Sequence, residues 1–312
     1  MGKEIYDIII IGGGPAGLTA GIYASRARMK VLLLESYSVM GQATMTDMIE
    51  NYPGVIKSSG FDLIDVFKKQ AETFGLECRP GTVKNIFKHD GIWNIEDETG
   101  TYQTYSIIAA TGACSKKLNV PGETEFIGKG VSYCATCDGA FFRDKDIIVI
   151  GGGDTAVEEA LFLTKFGKKI TIVHRRNALR AAKILQERAF DDKKIEFLWQ
   201  STIKTINGSK QVESVSVENL ETGKIENVLC KGVFVFVGWQ PNTKFLKETI
   251  KLDEKGGILT DDAMNTSEKG IFAAGDCRKK LLHQVVTACG DGAVAAYSAG
   301  QYVDELKGIV YK

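Results

Sequence analysis

One strand–turn–helix–strand unit occurs twice in this 312-residue chain, and the two copies align without a gap. In the first, the β-branched run Ile5 to Ile11 enters Gly12-Gly13-Gly14-Pro15-Ala16-Gly17. A helical stretch then runs to about Arg28, and a second apolar run, Val31 to Leu34, ends at Glu35. In the second, Asp146 to Ile150 enters Gly151-Gly152-Gly153-Asp154-Thr155-Ala156. Its helix runs to about Phe166, and the strand Ile170 to Val173 ends at His174. Gly12 plus 139 is Gly151, and Glu35 plus 139 is position 174. A unit of this size pairs two parallel strands through a right-handed helical crossover. Two such units require an α/β chain with two parallel sheets. The 44% hydrophobic and 25% charged composition supplies material for two cores.

Each glycine turn has the spacing of a Rossmann-like dinucleotide cradle, in the context that gives the pattern meaning: after a strand, opening a helix, and followed by a residue that reads the ribose. In the first copy Gly12 permits the tight turn, Gly14 lets the backbone approach a pyrophosphate, and Gly17 allows close helix–strand packing. Pro15 and Ala16 open the helix whose N-terminal N–H groups favour negative charge. Glu35, 18 residues past Gly17, suits a ribose diol. A first site with an acid there fits either FAD or NAD. Ala110-Thr111-Gly112 and Gly275-Asp276 are further candidate nucleotide loops, each an apolar strand ending in a glycine turn.

The second copy reads GxGxxA, through Gly151, Gly153 and Ala156, with Asp154 and Thr155 at the helix start. The position equivalent to Glu35 is His174, followed by Arg175 and Arg176, with Arg180 beyond. A carboxylate would repel a 2′-phosphate, whereas this basic run attracts one, and arginine binds phosphate bidentately. The second site is therefore expected to take NADPH over NADH.

Of the seven cysteines, Cys134 and Cys137 form the one close pair, Cys134-Ala135-Thr136-Cys137-Asp138-Gly139, just before the second glycine unit. Half a zinc site is one meaning of such a pair. Zinc wants four ligands, and there is no second pair, while His89, His174 and His283 are scattered. Beside two dinucleotide motifs the pair reads as an electron relay working by thiol–disulfide exchange. Asp138 is placed to donate or accept protons; a turn or N-cap aspartate is the alternative.

Zero formal net charge makes nucleic acid and anionic membranes poor partners. The Ile8–Ile11 run is too short for a signal-peptide core, and no apolar stretch of ~18 residues exists. These features, with an odd cysteine count, lead us to expect a cytoplasmic protein. The expected layout is a discontinuous first domain, 1–113 and 246–312, with a second domain inserted at 114–245.

The motif set resembles low-molecular-weight thioredoxin reductases of bacterial type, the class II pyridine nucleotide-disulfide oxidoreductases, along nearly the whole chain. It comprises both glycine units, Glu50-Asn51-Tyr52-Pro53-Gly54, Ala110-Thr111-Gly112, the Cys134–Gly139 string and His174-Arg175-Arg176. It continues with Gly238-Trp239-Gln240-Pro241-Asn242-Thr243 and Ala273-Ala274-Gly275-Asp276. The resemblance implies FAD in the first site and NADPH in the second, with Gly238 beside the latter. It implies a homodimer and electron flow from NADPH through FAD and the Cys134–Cys137 disulfide to thioredoxin. Cys137 would be the thiol near the flavin, Cys134 the thiol that meets thioredoxin, and Asp138 the acid/base. FAD contacts would also fall at Gly41, Gln42, Asn51, Val83, His283, Gln284 and Val285. A hinge is expected near 113–117 and 238–247, because nicotinamide site and disulfide share one domain yet must reach one flavin at different moments.

The chain departs from the family pattern at Met40 and Ala43, in a loop expected at the flavin, at His283, where arginine is common, and at Cys277 and Cys289, where small apolar residues are usual. The latter two are expected to be buried thiols. Competing functions are a reductase of the same build serving a peroxiredoxin, a ferredoxin-dependent relative, and a flavin-binding sensor without turnover. The few residues before the first strand speak against the extra N-terminal module of the peroxiredoxin type. The presence of both nucleotide motifs speaks against the ferredoxin type.

Overall fold

The computed structural model describes residues 4–36, 41–46 and 48–309. The chain divides into two compact units, Met1–Cys114 with Gln240–Lys312, and Ser115–Trp239.

The first unit opens with β1 (Ile5–Ile11), α1 (Pro15–Arg26) and β2 (Val31–Glu35), followed by a 3₁₀ turn Gln42–Met45 and α2 (Gly60–Thr73). β3 (Glu77–Pro80), β4 (Asn85–His89), β5 (Ile92–Glu96) and β6 (Thr101–Ala109) follow. β1 is almost wholly buried: residues 8–11 form the apolar run that a parallel strand with both faces covered needs, and the buried Asp7 before them accepts the Lys30 N–H at 3.0 Å. Alternation divides it between two cores. Ile8 and Ile10 join Ala16, Leu18, Ala20 and Leu63 on one face, while Ile9 and Ile11 join Trp93, Ile95 and Leu246 on the other. α2 forms because Leu63, Ile64, Phe67 and Ala71 recur at helical spacing behind an N-cap, Ser59, whose hydroxyl accepts the Asp62 N–H at 3.1 Å.

β7 (Ala113–Ser115) leads into the inserted unit, which contains β8 (Val131–Ser132), α3 (Ala135–Asp138), β9 (Asp146–Ile150), α4 (Asp154–Leu163), β10 (Lys169–Val173), α5 (Lys183–Asp191) and β11 (Ile195–Leu198). Then come β12 (Ser201–Gly208), β13 (Val212–Asn219), β14 (Ile225–Leu229) and β15 (Gly232–Val235). The parallel sheet has the order β11-β10-β9-β15-β8, and β12-β13-β14 form a separate antiparallel sheet. Ile147 and Val149 face a core shared with α4 and α5, and Ile148 and Ile150 face one shared with β12 and β13.

β16 (Trp239–Pro241) returns the chain, and β17 (Ile271–Ala273) and α6 (Val285–Leu306) complete the first unit. Its sheet runs β3-β2-β1-β6-β5-β4, with β17 also on β6. β6 is long enough to do both. Residues 101–104 pair antiparallel with β5, and residues 107–109 pair parallel with β17. Residues 240–245 lie with this first unit, not with the insertion, because Asn242 donates its N–H to the Gly112 carbonyl at 3.0 Å and its side-chain amide to that of Thr111 at 3.1 Å. Trp239-Gln240-Pro241, within the expected hinge 238–247, is a short strand paired with β7. Among the described residues no helix is long and apolar enough to cross a membrane.

Candidate functional site

In the first unit the glycine turn is built to the demands of close approach. Gly12 has φ +111°, and a methyl group there would fall on the Ala110 carbonyl. A methyl at Gly17 would overlap the Gly12 carbonyl oxygen, so the helix lies on the turn as only glycine allows. Gly14 is the opposite case. It is the N-cap of α1, no side chain caps the helix there, and an added Cβ would meet nothing within 4 Å. Gly17→Ala is therefore expected to cost about 3 kcal/mol or more, or to prevent folding. Gly14→Ala is expected to cost the apoprotein at most about 1 kcal/mol while weakening flavin retention. Melting of apoprotein and flavin content after gel filtration measure the two effects separately.

The rest of the cradle comes from distant sequence. Glu35 ends β2 with its carboxylate over Gly13, and burial pushes its pKa up. Gly275, at φ +77°, comes so close to α1 that a methyl there would be 2.8 Å from the Ala16 Cβ. The Gly275 N–H donates to Asp291 Oδ2 at 3.0 Å, and Asp291 in turn pairs with Arg278 at 2.9 Å and Lys280 at 2.7 Å. Asp276 Oδ1 and Thr111 Oγ1 are buried without a hydrogen-bond partner. They follow neighbouring strands, β17 and β6, whose ends are in register at Ala273 and Ala109. Burial raises the pKa of Asp276, opposed by His283 and Lys280.

Asn51 Nδ2 donates to Gln284 Oε1 at 3.1 Å, bringing two of the expected contacts together. Gln284 caps α6, Val285 begins it, and His283 is exposed just before. Gly41 and Gln42 start the 3₁₀ turn, Gly112 sits at φ +61°, and Val83 is half-buried against the second core. Met40 lies outside the described residues. Cys277 and Cys289 are buried, and burial pushes both thiols up. A helix N-terminus that no side chain caps, two orphaned buried oxygens and a carboxylate beside the turn fit a dinucleotide such as FAD.

The second unit repeats the geometry. Gly151 has φ +150° with the Phe236 carbonyl where its Cβ would be. Gly153 caps α4 with open space before it, as Gly14 does for α1. Ala156 replaces Gly17 and is buried beside Gly151. Asp154 Oδ1 accepts the Ala182 N–H at 2.7 Å, and Arg180 donates its N–H to Gly152 at 2.7 Å, tying the loop over the turn. Thr155 is half-buried in the first turn of α4, and Gly238, at φ +118°, follows β15.

His174 packs on Gly152, only 5% exposed, as Glu35 packs on Gly13. Burial lowers its pKa, with Arg180, Arg176 and Arg175 adding to the effect and a hydrogen bond to the Ala178 carbonyl opposing it. The ring is therefore neutral at neutral pH. The positive charge of the run resides on the exposed Arg175, Arg176 and Arg180. His174 Nε2 is buried without a partner.

The depressed pKa has a sign. His174 contributes stability that is fully present above its ordinary value of 6.5 and is lost as pH falls through that value toward the folded one, because the unfolded chain takes up the proton first. His174→Gln should flatten the decline in urea stability below pH 6.5, where one proton accounts for at most about 1.4 kcal/mol per pH unit.

Cys134 and Cys137 are joined as a disulfide across α3, with Cα atoms 5.4 Å apart. Cys134 is half-buried and Cys137 exposed. The Cys137 N–H points at Cys134 Sγ, 3.1 Å away, and Glu159 of α4 accepts the Ala135 N–H at 3.1 Å. Ser132 Oγ lies 2.6 Å from Asp138 Oδ2. Phe141, three residues past Asp138, is 79% exposed. Ser132, Glu159 and Asp291 belong to no motif that marks them in the sequence. Phe141 alone carries a signal, as one of two adjacent aromatic residues that follow the redox motif after Ala140.

Residues 6–292 match the model of the pyridine nucleotide-disulphide oxidoreductase family. The chain is 48% identical over 311 residues to a thioredoxin reductase of Peptoclostridium litorale, covering 97% of this chain and 99% of that protein. It is 45% identical to the thioredoxin reductase of Bacillus subtilis, covering 98% and 97%. The crystal structure of Lactococcus lactis thioredoxin reductase in its FR conformation superposes with a TM-score of 0.94 at 48% identity, over 96% of this chain and 99% of that one. Two glycine cradles and a two-cysteine turn, matched along almost the full length, make this chain a member of the pyridine nucleotide-disulphide oxidoreductase family.

Proposed function

We propose that the chain is an NADPH-dependent thioredoxin-disulfide reductase in which electrons pass from NADPH through FAD to the Cys134–Cys137 disulfide and on to oxidised thioredoxin. The observation that carries the reading is the formed disulfide on the same unit as a basic-rimmed nucleotide cradle. Gly12, Gly14, Gly17, Glu35, Thr111, Gly275 and Asp276 would hold FAD. Gly151, Gly153, Ala156, Arg175, Arg176 and Arg180 would hold NADPH. Bound FAD supplies a two-electron carrier between nicotinamide and disulfide.

The chain's own residues do the rest. The α1 and α4 N-termini bind the pyrophosphates, and the arginines select the 2′-phosphate. One thiolate of the reduced pair attacks the thioredoxin disulfide, a mixed disulfide forms, and the second thiolate resolves it. Asp138 moves the proton. Exposed Phe141 offers an apolar contact to the protein substrate. We further propose a cytoplasmic homodimer, with a hinge near 113–117 and 238–247 that lets nicotinamide and disulfide reach the flavin at different moments.

NADPH oxidation by the FAD-loaded protein should depend on added oxidised thioredoxin. Oxidation at the same rate without thioredoxin, or none with it, rejects the reading.

A further inference from the structure

The disulfide turn is organised around one hydroxyl. Ser132 ends β8 and is 4% exposed. Its Oγ lies 2.6 Å from Asp138 Oδ2 and 3.1 Å from the Cys134 carbonyl oxygen, and it accepts the Cys134 N–H at 3.0 Å. A hydroxyl has one proton and two lone pairs, so it serves only one of the two acceptors at a time. With Asp138 ionised, the short charge-assisted bond holds the proton. The Cys134 carbonyl then keeps the Asp138 N–H, 3.2 Å away. With Asp138 protonated, the acid donates to Ser132 Oγ and the hydroxyl turns to the Cys134 carbonyl. The buried hydroxyl is satisfied in both states, and no backbone atom has to move.

We propose that Ser132 is the positioning residue for Asp138, holding its carboxyl group in both protonation states while the cysteine turn stays fixed. This rests on the thiol–disulfide reading above. In that reaction the dithiol of Cys134 and Cys137 becomes a disulfide. The sulfur–sulfur bond of the partner breaks, and its two sulfurs receive two electrons and two protons. A proton leaves each enzyme thiol as its thiolate forms, and one reaches each departing partner thiolate. Asp138, adjacent to Cys137, takes up a proton and gives it back, and Ser132 lets it do so at constant geometry.

The test uses FAD-loaded enzyme with Ser132→Ala, Ser132→Thr, Ser132→Val, Asp138→Asn and the Ser132→Ala/Asp138→Asn pair. Ser132→Ala should lower kcat for thioredoxin reduction about tenfold to a hundredfold. The KM for thioredoxin and the stopped-flow rate of flavin reduction by NADPH should hold. Threonine should restore most of the loss and valine, of the same shape, none. In the Asp138→Asn background Ser132→Ala should cost little more, because the two residues act as a unit. Losses that multiply, equal rates for threonine and valine, or an undiminished Ser132→Ala each overturn the inference while leaving the reductase reading in place. Should Ser132→Ala fail to fold, the threonine and valine pair decides alone. A wild type that cannot reduce thioredoxin overturns the parent reading instead.

Discussion

Serine at either Cys134 or Cys137 is expected to lower thioredoxin reduction by on the order of 10⁴-fold or more, the scale on which enzymes lose a nucleophile that nothing can replace. The five other cysteines are not substitutes. Cys230, Cys277 and Cys289 are buried, Cys78 and Cys114 lie at other places in the fold, and burial raises the thiol pKa of Cys230 to about 12. A thiol so protonated is a poor nucleophile at neutral pH. The flavin should still be reduced by NADPH in both variants, so a reductive titration should take up half the hydride that wild type does. The two variants should differ in one respect. The family resemblance assigns Cys134 as the thiol that meets thioredoxin, so Cys137→Ser should trap a mixed disulfide through Cys134. Less trapping by Cys134→Ser, whose remaining Cys137 thiol is itself exposed, is the result that supports that assignment. Full thioredoxin turnover by the double variant would remove the disulfide from the mechanism.

Replacing Arg175 and Arg176 together by alanine should lower kcat/KM for NADPH about 10²- to 10⁴-fold, at about tenfold to a hundredfold for each charge-assisted bond to the phosphate. The value for NADH should change little, because NADH lacks the group these side chains would meet. Wild-type affinity for NADPH should fall with salt, and the variant should lose most of that dependence, since the arginines are exposed and screened. His174 should behave differently. It is buried and neutral, so His174→Gln should alter nucleotide affinity through lost shape and the unpartnered Nε2, with little change in salt dependence. Equal losses for NADPH and NADH in the arginine variant would place the basic run outside the 2′-phosphate site.

Local elements were legible because local rules decide them. The glycine turns and the strands they follow are set by steric limits and apolar periodicity that each segment carries within itself. The sign reversal from Glu35 to His174-Arg175-Arg176 was visible because the two copies align residue for residue. The division of charge within that run was not. Whether an imidazole is protonated depends on how deeply it packs, and nothing local says that His174 lies against Gly152.

The sequence by itself determined two nucleotide cradles, one redox pair and their order along the chain, since backbone sterics and the spacing of small residues leave few other outcomes. Tertiary structure alone decided what completes each site. Gly275 meets Ala16 and is held by Asp291, and Ser132 meets Asp138 across the cysteine turn, because β17 adds to β6 and α3 follows β8. Such contacts join residues by strand register and buried hydrogen bonds, whose energy depends on exclusion of water by the assembled core.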